Sequence, residues 1–90
     1  MAYNPTHMSA LTYANGFTLW HYRTNDVAIA VDTSGYFNAA AGMLRVGDFI
    51  LANTDTGAAT PTHGIYIVTS NSGGVVDVSN PQSLGSVNSD

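Results

Sequence analysis

The sequence contains no cysteine, no lysine and no glutamate. Without cysteine, the chain can form no disulfide, no thiolate metal site and no thiol nucleophile. Charged residues make up 9% of the 90 residues, against about a quarter in an average protein. The net charge of −4 comes from six aspartates against Arg23 and Arg45. Because nucleic acids and anionic membranes bind clustered basic residues, neither is an expected partner.

Long apolar runs are also missing: no segment approaches the roughly 18 residues of a transmembrane helix. The first residues lack the basic and apolar segments of a secretion signal, so export by that route is not expected. A chain of 90 residues forms one domain with a thin core. Small domains without disulfides or metals often depend on oligomerisation, and self-association is therefore expected.

Neutral polar residues and aromatic residues are what the sequence has instead. It contains 8 Ser, 10 Thr and 8 Asn, and hydrophobic residues make up 44% of the chain. One Trp, five Tyr and three Phe are enough large apolar groups to form a core. A folded domain with a neutral polar surface is expected, since disordered chains have few aromatics and a high net charge.

Alternating side chains between turn residues predict about five short strands. Residues 17–22 are apolar on both faces, which favours a strand that lies between the core and a second covered surface. Turns are predicted at Asn15-Gly16 and at residues 71–74. The predicted strands cover residues 17–22, 27–31, 48–53, 64–70 and 75–78.

One short helix is predicted within residues 36–44, where Phe37, Ala40 and Leu44 share a face. Many strands with a single helix indicate an all-β fold, a small antiparallel β-sandwich or barrel spanning residues 16–80. Residues 81–90 are rich in Ser and Asn and are predicted to be a flexible C-terminal tail.

Residues 1–15 keep no period of 2 or 3.6 and are predicted to form an extended N-terminal arm. A fully disordered tail has little use for large apolar groups, yet this arm carries four. They either pack back on their own domain or lie on a neighbouring subunit. These candidate contact residues are Tyr3, Met8, Leu11 and Tyr13.

The sequence offers no pattern typical of catalysis. His7, His21 and His63 lack the close spacing of metal-ligand pairs. The aspartates lie in turns and at strand ends, where they usually form local hydrogen bonds. Asp48 is expected to bond the turn backbone or Arg45 rather than to act as an acid. We therefore expect no enzyme activity, no catalytic or metal-binding residue and no cofactor.

Two neutral loops, residues 54–63 and 71–74, are predicted to be exposed. Their hydroxyl and amide groups could bind an uncharged glycan, and they are better candidates than the aromatic residues, which are expected to pack in the core. The candidate outward-facing residues are Thr54, Thr56, Thr60, Thr62, Asn71 and Ser72.

Three segments carry a resemblance to known proteins: FTLWHYRT (17–24), GYFNAAAGMLRVGDFIL (35–51) and GIYIVTSNSGGVVDVS (64–79). Together they resemble a small module of tailed-bacteriophage virion surface proteins, found in head decoration proteins and tail-spike-like proteins. The resemblance spans residues 17–78, about two thirds of the chain. Its most specific part is residues 35–48. It implies a β-rich, usually trimeric domain on the virion surface, with no catalytic residues.

Two functions fit this resemblance. A decoration (cement) protein binds as a homotrimer to the outside of the head, where it ties together subunits of the major capsid protein. A receptor-binding module of a tail spike or head fibre binds a host-surface glycan, but it normally has a stalk, and no stalk is expected here. We therefore expect a cement protein on the outer capsid surface, assembled in the host cytoplasm, with the arm contacting a neighbouring subunit or the capsid.

Overall fold

A computed structural model describes residues 3–85. Strands account for 45% of these residues and form a six-stranded sheet, which confirms the prediction of a mostly β-fold. Over this range the sheet does not close into a barrel. In chain order the strands are β1 (Met8–Ala14), β2 (Phe17–Arg23), β3 (Phe49–Thr54), β4 (Thr62–Ser72), β5 (Val75–Val78) and β6 (Gln82–Ser83).

In residues 3–85, helical structure is limited to α1 (Ala28–Val31) and two 3₁₀ turns, Pro5–His7 and Asn38–Ala40. Within residues 3–85, none of these helices has the length and apolar character that crossing a membrane requires.

The strand order is β1-β2-β3-β4-β5, with β6 also beside β4. Strands β2 and β3 are parallel, from Leu19 opposite Phe49 to Arg23 opposite Asn53. The sheet is therefore mixed, and the prediction of a purely antiparallel sheet is wrong. Adjacent parallel strands need a long crossover, and residues 24–48 provide it by crossing one face of the sheet.

The sheet begins at Met8, so residues 8–14 of the predicted arm form its first strand. Strand β1 pairs antiparallel with β2, from Met8 opposite Tyr22 to Ala14 opposite Phe17. The register shifts between Ala10 and Thr12, so a β-bulge interrupts the strand. Such a bulge breaks the alternation of side chains, and for this reason no period of 2 is visible in this part of the sequence.

The crossover contains turns where the sequence predicts a strand and a longer helix. Residues 28–31 of the predicted strand form α1, with Val27 as the N-cap and a hydrogen bond from Asp32 N–H to Ala28 O. The helix predicted for residues 36–44 is reduced to a 3₁₀ turn, in which Ala41 N–H bonds Asn38 O, and Asn38 Oδ1 also accepts a hydrogen bond from Val76 N–H of β5. Its predicted apolar face is nevertheless buried, with Phe37, Ala40 and Leu44 all in the core.

The core lies on the face that the crossover covers. Crossover residues pack there against alternate residues of the strands, and Tyr22, Ile50 and Val68 have no exposed surface. The buried cluster consists of Met8, Trp20, Tyr22, Val31, Phe37, Ala40, Leu44, Ile50, Ala52, Tyr66, Val68, Val76 and Val78.

Asp48 is fully buried and joins the crossover to the β1–β2 hairpin. Its carboxylate accepts hydrogen bonds from Arg45 N–H, Thr18 N–H and Trp20 Nε1–H, each at 3.1 Å. Three donors compensate for the removal of this charge from water. The prediction that Asp48 bonds the turn backbone is confirmed, and the carboxylate also fixes the hairpin.

A chain of hydroxyl groups ties the N-terminal segment to the same core. The Tyr36 hydroxyl donates to Asp26 Oδ2 at 2.6 Å and lies 2.9 Å from the Tyr22 hydroxyl. The Tyr22 hydroxyl in turn accepts from Asn4 N–H at 3.0 Å. Burial, and then the hydrogen bond to Asp26, raise the pKa of Tyr36. Tyr3 stacks on Tyr22 with 5.5 Å between ring centroids.

Both predicted hairpin turns are present. Asn15 and Gly16 have φ of 55° and 81°, and Gly73 and Gly74 have φ of 61° and 82°. Two successive residues with positive φ match the twist of the flanking strands. These turns set the register of β1 with β2 and of β4 with β5.

The predicted C-terminal tail is partly ordered, since β6 pairs with Gly64 and Ile65 of β4. Gly64 allows this contact because a Cβ there would lie 2.9 Å from Pro81 Cβ. Residues 86–90 of the predicted tail lie outside the described residues.

Candidate functional site

The face of the sheet opposite the core is apolar and only partly buried. Leu19, Phe49 and Ile67 are successive partners across β2, β3 and β4. In the next row across the same strands, the partners are His21, Leu51 and Ile65. The Phe17 ring packs edge-on against the Phe49 ring, with 5.1 Å between the ring centroids. We call these two rows and Phe17 the outer face, which consists of Phe17, Leu19, His21, Phe49, Leu51, Ile65 and Ile67.

The outer face is open because the crossover packs against the opposite side of the sheet. Phe49 is 40% exposed, and the other six residues are half-buried. None of the seven belongs to the buried cluster. An apolar sheet face that its own chain leaves partly exposed is typical of a contact surface. The sequence indicates this contact surface because residues 17–22 carry apolar side chains on both faces of the strand. Strands β3 and β4 likewise carry apolar side chains on both faces.

One end of the outer face is polar and is organised by Asn53. Its Nδ2 lies 3.0 Å from Nε2 of His21, and its Oδ1 lies 2.6 Å from Nδ1 of His63. An amide nitrogen only donates and an amide oxygen only accepts. His21 Nε2 therefore accepts a hydrogen bond and His63 Nδ1 donates one. This arrangement fixes both rings and gives the outer face a hydrogen-bonded border.

Within the part of the chain that the structure describes, these two rings have no further ligands beside them that would complete a metal centre. Among residues 3–85, no group of three or more histidine or aspartate side chains is placed to hold a metal ion. The third histidine, His7, is exposed in the first 3₁₀ turn. The buried carboxylates of Asp26 and Asp48 are occupied by hydrogen bonds within the core.

A second exposed apolar surface lies on the β1–β2 hairpin. Leu11 is 53% exposed and Tyr13 is 61% exposed. The Arg45 guanidinium lies 6.0 Å from the centre of the Tyr13 ring, which brings the end of the crossover against the hairpin. Val46, the next residue, is 62% exposed. We call Leu11 and Tyr13 the hairpin patch.

The four arm residues that the sequence predicts as contacts thus fall into two pairs. Met8 belongs to the buried cluster and Tyr3 packs against it, so both contact their own domain. Leu11 and Tyr13 remain exposed. Removal of residues 1–14 would delete β1 and part of the core, and point substitutions are therefore the appropriate test of the exposed pair.

The predicted glycan-facing residues are only partly where the sequence places them. The prediction that Thr54 faces outward is wrong. Strand β3 continues to this residue and turns its side chain toward the core, where it is 1% exposed. Asn71 is half-buried, and its amide donates to Ala41 O and Leu44 O at 2.8 and 2.7 Å. Its donors therefore hold the crossover. Thr60, Thr62 and Ser72 are exposed, and Thr56 is half-buried.

The two predicted loops also lie far apart. The first extends into the start of β4 and the second begins at its end, so most of this 11-residue strand separates them, by roughly 25 Å. A single glycan unit cannot span both loops. Near the first loop, a cavity of about 200 Å³ is lined by Thr60, Pro61, Thr62, His63, Ser83, Leu84 and Gly85.

No protein-family model, curated protein or solved structure matches this chain.

Proposed function

We propose that this chain is a bacteriophage decoration (cement) protein, which binds as a homotrimer to the outside of the head and reinforces the shell of major capsid protein. The observation that carries the proposal is the presence of two separate exposed apolar surfaces, the outer face and the hairpin patch, on one small domain with few charges. The resemblance of residues 17–78 to virion surface modules supplies the class of partner.

A cement protein must contact its own copies and the capsid at the same time. Two distinct surfaces satisfy this requirement, because contacts with sister subunits need not compete with contacts to the shell. A trimer would present three hairpin patches to the capsid, and their combined avidity would exceed the affinity of one contact. A β-sandwich would arise in this assembly if a sister sheet packed on the outer face at the usual spacing of about 10 Å.

Head stability after removal and re-addition of the protein tests the proposal directly. Phage particles would be stripped of the protein and then incubated with the purified chain or with buffer. We expect stripped heads to release DNA at a lower temperature and the purified chain to restore the original value. DNA release can be followed by the fluorescence of an intercalating dye during heating, with host adsorption measured on the same particles.

Receptor binding is the second candidate function, and the cavity beside the first loop favours it. The hydroxyls of Thr60, Thr62 and Ser83, together with the apolar Leu84, could accept a small uncharged sugar. The same stripped particles distinguish the two functions. Unchanged DNA release with lost adsorption would overturn the cement proposal in favour of glycan recognition.

The hairpin patch provides a more local prediction. Tyr13→Ser together with Leu11→Ser removes two exposed apolar side chains, so the occupancy of stripped heads should fall about tenfold or more. The free energy of unfolding should change by less than about 1 kcal/mol, since both side chains are largely in solvent. Val75→Ser, which alters a 47% exposed residue in β5, is the matched control. Co-sedimentation with heads measures occupancy, and equal binding by all variants would exclude this surface.

A further inference from the structure

We infer that residues 3–7 form a strap that opens while the sheet stays folded, and that the open strap uncovers a preformed pocket for one aromatic ring. In the closed strap, Tyr3 packs in this pocket against Tyr22 and Phe37. Tyr36 supports both of these rings. The contacts that carry this inference lie within one chain, and none of them depends on the proposed function.

Few contacts hold the strap on the sheet. Asn4 N–H donates a hydrogen bond to the Tyr22 hydroxyl at 3.0 Å. The Tyr3 ring lies 5.5 Å from the ring centroids of both Tyr22 and Phe37. Within the described residues, the other hydrogen bonds of the strap lie inside the first 3₁₀ turn and its caps, and all of the strap after Tyr3 is exposed. A segment with so few contacts opens at a lower free energy than the core of the sheet.

The opening ends at Met8, where the sheet begins. Met8 is buried in the core and is the partner of Tyr22 across β1 and β2. The strap before it is a single 3₁₀ turn, in which Asn4 Oδ1 accepts a hydrogen bond from Thr6 N–H at 3.0 Å. These local hydrogen bonds need no contact with the sheet. The strap can therefore move as one short unit about the backbone that precedes Met8.

The Tyr3 hydroxyl lowers the stability of the closed strap. Its oxygen is buried, and among residues 3–85 it has no hydrogen-bond partner. A buried hydroxyl without a partner loses its hydrogen bond to water and gains none in return. Opening restores that hydrogen bond, and this gain offsets part of the ring stacking that is lost. Since nearly all buried polar groups in folded proteins have partners, the exception at Tyr3 indicates a segment that does not stay closed.

A relay of hydroxyl groups links the strap to the crossover. The Asp26 carboxylate accepts a hydrogen bond from the Tyr36 hydroxyl at 2.6 Å. The Tyr36 proton is then used, so the Tyr22 hydroxyl donates to the Tyr36 oxygen at 2.9 Å. The Tyr22 oxygen is left as the acceptor for Asn4 N–H. Each hydrogen bond in such a chain strengthens the next, so a change at Tyr36 reaches the strap.

The pocket remains in place when Tyr3 leaves it. The rings of Tyr22 and Phe37 pack edge-on with 5.4 Å between their centroids, and Phe37 also packs edge-on against Tyr36 at 4.9 Å. These edge-to-face contacts stabilise the three rings without Tyr3. The uncovered pocket therefore fits a single aromatic ring, with the Tyr22 hydroxyl beside it to accept a hydrogen bond.

Amide hydrogen exchange of the purified chain, measured by NMR, tests the opening. The Asn4 amide is the reporter, since its partner is the Tyr22 hydroxyl. We expect this amide to be protected, yet to exchange about a hundredfold or more faster than amides of the central strand β3. Exchange of Asn4 at the rate of the β3 amides would show that the strap opens only on global unfolding, and would overturn the inference. An unprotected Asn4 amide would overturn it as well, because the strap would then never close.

Tyrosine-to-phenylalanine variants test what controls the opening. Tyr3→Phe keeps the ring and removes the hydroxyl without a partner, so Asn4 exchange should slow about tenfold. Tyr36→Phe removes the acceptor that orients the Tyr22 hydroxyl, so Asn4 exchange should become about threefold faster or more. Tyr13→Phe, which removes a hydroxyl from a 61% exposed ring, is the matched control and should leave the rate unchanged. Unchanged or faster exchange in Tyr3→Phe would contradict the role of its hydroxyl, and an unchanged rate in Tyr36→Phe would contradict the relay.

Binding of p-cresol, which is the side chain of tyrosine as a free molecule, tests the pocket. Tyr3→Ala leaves the pocket without its ring, so p-cresol should shift the NMR signals of Tyr22 and Phe37 in a saturable way. Tyr3→Phe keeps the pocket filled and should show no such shift. A folded Tyr3→Ala protein that does not bind p-cresol would remove the pocket from the inference. The exchange rates of Tyr3→Phe and Tyr36→Phe keep the opening testable if Tyr3→Ala fails to fold.

Discussion

The two faces of the sheet are built from alternate residues of the same strands, yet one face is buried and the other is partly exposed. In β3, Ile50, Ala52 and Thr54 are buried, whereas Phe49 and Leu51 between them remain partly exposed. The difference arises because residues 24–48 cover one face only. Residues 3–85 contain one crossover of this size, and they leave the second apolar face partly exposed.

The polar groups differ between the faces in the same way. On the core face, the Asp48 carboxylate receives three hydrogen bonds and the Asp26 carboxylate receives one from Tyr36. On the outer face, the polar groups lie at one end, where Asn53 joins two histidine rings. The core face therefore stabilises the fold, while the outer face combines an apolar centre with a polar border, as many protein interfaces do.

Neighbouring residues in β3 give the largest expected contrast. Ile50→Ala leaves a cavity in the core and should lower the free energy of unfolding by about 3 kcal/mol. Leu51→Ala trims a half-buried side chain on the outer face and should cost less than about 1 kcal/mol in the isolated subunit. Urea unfolding at low protein concentration, where association is minimal, measures both values. Equal losses would show that the two faces are equally important for folding.

Asp48 provides the second contrast. Asp48→Asn removes the charge and replaces one acceptor oxygen by a donor, so one or two of its three hydrogen bonds are lost. We expect a loss of about 2 kcal/mol. Asp77→Asn, in the half-buried middle of β5, should change the free energy of unfolding by less than about 0.5 kcal/mol. Thermal unfolding followed by circular dichroism compares them, and a similar stability for both variants would contradict the structural role of Asp48.

The smallest effect concerns alkaline pH. Burial, and then the nearby charge of Asp32, raise the pKa of Tyr66 from 10.0 to about 12. Since the unfolded chain loses this proton first, the contribution of Tyr66 to stability is complete below about pH 10 and is lost as the pH rises through about 12. Tyr66→Phe should therefore lose less stability than wild type between pH 9 and 11, as measured by urea unfolding. An identical pH dependence would exclude Tyr66 as a source of the alkaline loss.

Prediction from the sequence succeeds where local pattern and final structure agree. Strands β2, β3, β4 and β5 lie close to their predicted positions, because their alternation is uninterrupted and their turns contain Gly and Asn. The crossover residues Phe37, Ala40 and Leu44 are buried as their spacing predicts. Strand β1 is missed because its bulge hides the alternation, and β6 is too short to give a pattern.

The candidate surfaces, too, can be predicted from the sequence only where they depend on local pattern. The apolar second face of β2 is visible in the sequence, since Phe17, Leu19 and His21 alternate with Thr18, Trp20 and Tyr22. The sequence does not reveal that Leu19, Phe49 and Ile67 lie side by side, because strand order and register depend on contacts distant along the chain. The burial of Thr54 and the internal hydrogen bonds of Asn71 depend on such contacts as well.

By itself, the sequence determined that this protein is β-rich, weakly charged, without disulfides and supplied with more apolar strand surface than one small core can use. Only the tertiary structure decided that β2 and β3 run parallel, which face of the sheet the crossover covers, and that Tyr3 and Met8 join the core while Leu11 and Tyr13 do not. The physical reason is that composition and alternation act locally. The covering of a face is decided by packing between segments that are far apart in the chain.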